Sequence, residues 1–119
     1  KNNLKKIKKN KLINLKKFLK NRKKKIIIFC AGSYSEIIIK ISKKLGFKIS
    51  FILDNNKYFE GQRISNISIK HPSFIENKIN YFSNYQILIC NKNFNDFKII
   101  NKQLKGIGFE NNNIKHINI

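Results

Sequence analysis

The chain of 119 residues has no Trp and no Met, one Pro, two Cys and two His. Two cysteines without metal-type spacing exclude a disulfide-stapled scaffold and a zinc site, and they point to a reducing, cytoplasmic location. Two isolated histidines, His71 and His116, do not make a metal centre, so no metal is expected. No apolar run approaches the roughly 18 residues that span a bilayer. Residues 1–25 lack the apolar centre of a secretory signal. The length fits one domain with a modest core rather than two domains. The chain starts at Lys1 rather than Met, which raises the expectation of a fragment of a larger protein.

Acids are scarce. There are 6 against 26 bases, for a formal charge of +20. Lys, Asn, Ile and Phe are abundant, and all have A/T-rich codons, so part of this composition reflects a low-GC genome. The charge is also uneven. Residues 1–25 hold 13 bases and no acid, whereas the remainder holds 13 bases and 6 acids. A charge of this size ordinarily points to nucleic acid or an anionic membrane surface. Dedicated phosphate surfaces favour the planar fork of Arg, and only Arg22 and Arg63 are present. Nucleic acid is therefore not the expected partner. A nucleic-acid or membrane-surface module using the basic arm stays as an alternative function.

Hydrophobic periodicity divides the chain. Over residues 3–21, Leu4, Ile7, Leu12, Leu15, Phe18 and Leu19 recur at helical spacing among lysines, which predicts a basic amphipathic helix. Residues 1–24 form this arm, and residues 25–119 form the domain. Lys25 to Cys30 is a short apolar run, as in a strand buried on both faces. Ala31-Gly32-Ser33 is a turn, and Ser35 to Leu45 a helix with Gly46 as its stop. Lys48 to Asp54 is a second strand, Ile67–Ile69 a third, and Pro72 opens a helix to about Ile79. Tyr85–Cys90 is a fourth strand, Phe94–Leu104 a helix ended by Gly106, and Ile114–Ile119 a last strand. Strands alternating with helices predict an α/β, Rossmann-like three-layer domain. Its parallel sheet has about five strands in the order 3-2-1-4-5.

The first turn carries the candidate chemistry. A dinucleotide fingerprint places G-x-G-x-x-G between the first strand and helix, with pyrophosphate on the helix N-terminus. Here the stretch reads Cys30-Ala31-Gly32-Ser33-Tyr34-Ser35. Only the middle glycine, which permits close backbone approach, is present. This argues against NAD and leaves the cofactor unassigned. Asp54 lies 22 residues after Gly32, where an acid meets ribose hydroxyls. It equally suits a strand-end cap on the Asn55-Asn56 turn.

Several strings resemble one family. They are Lys25–Cys30 with Ala31-Gly32-Ser33, then Phe51 to Asn56, Gly61, and Ile67-Ser68-Ile69-Lys70-His71-Pro72. Ile87–Cys90, Ile99–Leu104 and Gly106-Ile107 follow. Together they resemble a Rossmann-like accessory domain of bacterial polysaccharide-biosynthesis enzymes, over residues 22–119. That domain is similar to the C-terminal domain of sugar C-methyltransferases and to the N-terminal domain of sugar acyltransferases. A helix before the glycine strand favours the methyltransferase association. The resemblance implies a domain that binds a nucleotide-sugar or its sugar, or that packs against a catalytic domain. The chain lacks an S-adenosylmethionine-binding half and a hexapeptide repeat, so it is not the whole enzyme of either family.

Cys30 and Cys90 end the two strands at the switch point, where they are expected to flank the ligand crevice as small packing residues. A nucleophilic role needs a base and a low-pKa thiol, and the sequence offers no such partner. Tyr34 at the helix start could stack on a base or sugar, and Asn91, Lys92 and Asn93 could donate to phosphate or hydroxyls. Glu36 is explained by the helix dipole. The expected ligand-binding residues are Gly32, Ser33, Tyr34, Asp54 and Asn91, with no catalytic residue. The expected partners are a nucleotide-sugar or related small molecule and a catalytic domain; a homo-oligomer is left open. An NAD(P)-binding oxidoreductase fragment is the remaining alternative.

Overall fold

The computed structural model describes residues 9–19 and 25–117. Helix α1 (Lys9–Phe18) precedes β1 (Ile26–Phe29), α2 (Ser33–Lys44), β2 (Ile49–Leu53), β3 (Arg63–Ile64) and β4 (Ile67–Lys70). The short helices α3 (Ser73–Glu76) and α4 (Ile79–Phe82) follow, then β5 (Gln86–Cys90), α5 (Phe94–Ile107) and β6 (Ile114–Ile117). The sheet order is β3-β4-β2-β1-β5-β6, with every pairing parallel except β3 with β4.

The five parallel strands keep the expected order. The sheet has a sixth strand that the sequence reading missed, because β3 is two residues long and carries no apolar run. It is joined to β4 by Ser65 and Asn66, whose φ values are 49° and 67°. Two successive positive φ values make the tight turn that suits a two-residue hairpin.

Strand alternation divides the isoleucines between two layers. Ile26, Ile28 and Leu88 face α2, where Ile38, Ile39 and Ile41 meet them. Ile27, Phe29, Ile87 and Ile89 face the other way, against Ile75, Phe82, Ile100 and Leu104. β1 is buried along its whole length, which explains its unbroken apolar sequence.

Helix α1 packs one stripe on the first layer. Leu15 and Leu19 are buried there beside Ile26 and Ile38. Gln86 Nε2 donates to the Phe18 carbonyl at 2.7 Å, satisfying an acceptor at the helix end. Leu4, Ile7 and the expected helical extension over residues 3–8 and 20–21 lie outside the described residues, as does Ile119.

Helix α2 begins at Ser33 rather than Ser35, and two further helix boundaries differ from expectation. The helix opened by Pro72 stops at Glu76, and α4 follows after Asn77 and Lys78. The break lets Phe74 and Phe82 both reach the Phe51 ring, each 5.5 Å away between centroids. Helix α5 runs through Gly106 and ends at Gly108, which has φ 131°. A Cβ at Gly108 would come within 2.7 Å of Ile79 Cγ1, so conformation and packing both require glycine there.

Replacing Leu19 by Ala should lower stability by about 2–4 kcal/mol in urea denaturation. Ile13→Ala, on the exposed side of α1, should change it by less than about 0.5 kcal/mol. Equal effects would contradict the packing of α1.

Candidate functional site

The turn after β1 is built on an unusual residue. Cys30 has φ 86°, a conformation that glycine adopts freely and L-residues rarely. Its N–H donates to the Leu53 carbonyl at 2.8 Å, prolonging the β1–β2 ladder. Continued alternation would put Cys30 with Ile26 and Ile28. The left-handed backbone turns it instead toward the Phe29 layer. The position of the missing first glycine therefore keeps a glycine-like backbone.

Gly32 sits at the start of α2 with φ 157° and ψ −166°, close to full extension. No atom lies within 4 Å of where its Cβ would be, so the backbone is open to close approach. Its N–H donates to Ser35 Oγ at 2.9 Å, and Ser35 Oγ donates back to the Gly32 carbonyl at 2.7 Å. Ser35, at the third fingerprint position, is fully buried and fastens the turn from inside. Glu36 lies in the first turn of α2, where the dipole favours an acid.

Asp54 follows β2. Its Oδ2 accepts from the Ala31 N–H at 2.8 Å, and its Oδ1 from the Asn56 N–H at 2.8 Å. The strand-end capping role is thus realised, and the same carboxylate crosses to the β1 turn. Each oxygen keeps one lone pair free of these two bonds. Asn55 and Gln103 exchange side-chain amide bonds of 3.1 and 2.9 Å, lacing the β2 loop to α5.

These elements enclose a cleft of about 260 Å³ at the C-terminal ends of β1, β2 and β5. Asp54 and Asn91 line it, as does Cys30. The sequence reading missed Asp96, Ile99 and Ile100, which α5 contributes, and Asn55 and Phe29. The signal for Asp96 was its position in the first turn of the helix leaving the switch-point strand. Gly32, Ser33 and Tyr34 lie at the start of α2, and none of them lines this cleft. Tyr34 is half-buried against the α2 layer, with Lys92 Nζ 5.6 Å from its ring centroid. Asn93 caps α5 by accepting from the Asp96 N–H at 3.1 Å.

The expectation that both cysteines flank the crevice is corrected. Cys90 is buried in the α2 layer because its strand alternation is unbroken, and only Cys30 lines the cleft. Burial pushes the Cys30 thiol up to about 12, and the Asp54 and Asp96 carboxylates add to the shift. Burial also raises Cys90. Neither is a thiolate near neutral pH.

His71 does not line the cleft. Its Nδ1 accepts from the Ser73 N–H at 3.2 Å at the start of α3. His116 Nε2 donates to the Asn91 carbonyl at 3.0 Å while its ring stacks on Phe97 at 4.4 Å. It thereby positions the β5 loop. Among the described residues, no group of three His, Cys, Asp or Glu could hold a metal ion, and no helix is long and apolar enough to cross a membrane.

The Cys30 backbone makes Cys30→Gly more stable than Cys30→Ala by about 1 kcal/mol, the reverse of the ordinary Gly–Ala order. Comparing the two denaturation curves checks this. At pH 8, iodoacetamide should label folded Cys30 at least about a hundredfold more slowly than a free thiol; rapid labelling would contradict the buried, neutral thiol.

No family model matches the chain, and no curated protein matches it. Solved structures do. UDP-D-quinovosamine 4-dehydrogenase from Vibrio fischeri is 19% identical with a TM-score of 0.63, covering 78% of this chain and 76% of its own. RSP, a Rex-family repressor, is 19% identical with a TM-score of 0.62, covering 90% of this chain and 58% of its own. Perosamine N-acetyltransferase from Caulobacter crescentus, solved with CoA and GDP-perosamine, is 10% identical with a TM-score of 0.56, covering 71% and 39%. At these identities the likeness is one of fold: the chain has a mixed α/β, Rossmann-like domain with a mostly parallel sheet.

Proposed function

We propose that the chain is a nucleotide-sugar- or sugar-binding domain of a bacterial sugar-modifying transferase. The observation that carries this reading is the cleft at the switch point between β1 and β5, with Asp54 and Asn91 in its wall. Ligands of open α/β sheets bind at such points, outside the strand C-terminal ends. Two of the structural neighbours act in nucleotide-sugar chemistry by their names: the quinovosamine dehydrogenase and the perosamine acetyltransferase.

Roles divide between two adjoining regions. Asp54 offers acceptors to hydroxyl or N–H groups, and Asn91 forms the wall opposite. The start of α2 offers the backbone amides of Ser33 and Tyr34 and a positive dipole end to phosphate, while Gly32, its N–H held by Ser35 Oγ, leaves room for the ligand to approach. Lys92, over the Tyr34 ring, adds positive charge beside it. The proposal gives the domain no catalytic residue, in keeping with the neutral cysteines and with His71 and His116 engaged in loop contacts. Catalysis would belong to a partner domain. The helix before the glycine strand favours a methyltransferase as the parent enzyme.

The competing reading, an NAD(P)-binding oxidoreductase fragment, is supported by the glycine-like φ of Cys30 and the position of Asp54. RSP, the Rex-family neighbour, was solved with NADH. Against it, only the middle glycine of the dinucleotide fingerprint is present, with Cys30 and Ser35 in the outer two places.

A thermal-shift series with nucleotide-sugars at millimolar concentration should raise the melting temperature, because a ligand that binds only the folded state stabilises it. Asp54→Asn should reduce that rise. No shift with any nucleotide-sugar would overturn the binding reading, and tight binding of NADH in a fluorescence titration would replace it.

A further inference from the structure

The cleft has a chemical polarity beyond what a general nucleotide site needs. Its polar wall is dominated by acceptors. Asp54 keeps lone pairs beyond its two backbone bonds, and Asp96 adds a second carboxylate from the first turn of α5. Asn91 Oδ1 is buried and has no hydrogen-bond partner. Its amide orientation is fixed because Asn91 Nδ2 donates to the Asn93 carbonyl at 2.9 Å. The amide of Asn55 is engaged with Gln103 at both its oxygen and its nitrogen. Among the described residues, no Lys, Arg or His lines the cleft.

The Asn91 oxygen is closed off from solvent, so the acceptors a ligand meets are the Asp54 and Asp96 carboxylates, and the ligand is expected to bring N–H or O–H groups to them. Two carboxylates repel a phosphate at the same place. The volume of about 260 Å³ falls below the ~300–1,000 Å³ typical of pockets for drug-sized ligands. It holds one end of a nucleotide-sugar and not the whole. Phe29, Ile99 and Ile100 supply apolar wall, which suits the face of a flat ring. Ile99 lines the cleft while 66% exposed, so a ring placed there would cover apolar surface that is otherwise wet.

Asp54 sets the direction of the ligand. Its carboxylate is bonded to Ala31, one residue before Gly32. A ribose held by Asp54 would direct its phosphates to the start of α2 and its base toward Asp96 and Asn91. We propose that the cleft reads a nucleobase by its N–H edge and prefers bases with an exocyclic amino group over uracil and thymine. Adenine, guanine and cytosine each present an amino donor. Uracil and thymine present one ring N–H between two carbonyl oxygens, which would face the carboxylates. This inference rests on the nucleotide-binding reading above and assigns Asp96 as its specificity residue.

The test is a calorimetric titration of the whole chain with ADP, GDP, CDP, UDP and dTDP at one salt concentration. At least one amino-bearing diphosphate should bind about tenfold more tightly than UDP, the scale of one hydrogen bond to a charged acceptor. In Asp96→Asn this preference should narrow, with UDP binding unchanged or tightened. Asp96→Ala, at the same exposed helical position, separates loss of the acceptor from any effect of the new amide. Equal or tighter binding of UDP by the unaltered chain would overturn the base preference and leave the binding reading intact. A preference that both variants retain in full would overturn the role of Asp96. Failure of all five diphosphates, repeated with the corresponding nucleotide-sugars, would overturn both readings.

Discussion

The Asp54 carboxylate joins two strand ends that the sheet ladder alone leaves loose. One oxygen holds the Ala31 amide after β1, and the other holds the Asn56 amide after β2. The next residue, Asn55, continues the connection to Gln103 on α5 through a reciprocal pair of amide bonds. On the far wall, His116 of β6 fixes the Asn91 carbonyl. Each wall of the cleft is thus tied to its neighbour by polar contacts, while the packed isoleucines support it from below. Such a site needs little rearrangement to receive a ligand, which reduces the ordering cost of binding.

That framework also explains how Cys30 tolerates its backbone. A non-glycine residue at positive φ costs on the order of 1–3 kcal/mol and persists when its surroundings over-determine it. Here the Cys30 amide is bound to Leu53, the following amide to Asp54, and β1 is buried at every residue. The conformation re-aims the Cys30 side chain from the α2 layer into the cleft. It also explains the separation of the two cysteines: Cys90 ends an undistorted strand and stays in the core, whereas Cys30 ends a turned one and does not.

The elements legible in the sequence were those whose patterns arise from burial on regular structure. The unbroken apolar runs of β1 and β5 and the stripe of Ile38, Ile41 and Leu45 on α2 follow directly from sheet and helix periodicity. Gly46, at φ 83°, ended α2 where expected. What escaped depended on contacts between distant residues. Nothing local shows that Gly108 rather than Gly106 ends α5, because the requirement comes from Ile79. The strand β3 is set by a two-residue turn and the β4 edge, not by apolar periodicity. Of the residues lining the cleft, Asp54 and Asn91 had been singled out from their places after strands. Asp96 was not, since its relation to Asp54 exists only once α5 packs across the strand ends.

Charge gives the cleft a meaning that composition conceals. A formal charge of +20 implies a surface potential that attracts anions from solution. Yet two of the six acids lie together in the cleft wall, and among the described residues no basic one does. The Asp54 carboxylate is bonded to Ala31, next to Gly32, so the cleft and the start of α2 adjoin within the roughly 8 Å over which charges interact at physiological ionic strength, and each biases what the other accepts. An anionic ligand drawn in by the overall charge would meet opposite preferences at its two ends. In the proposed reading its phosphates would lie at the helix start and beside Lys92, and its uncharged, donor-bearing end against Asp54 and Asp96. In the proposed reading the basic composition would govern encounter and the few carboxylates orientation, so net charge alone is a poor guide to the chemistry of the cleft.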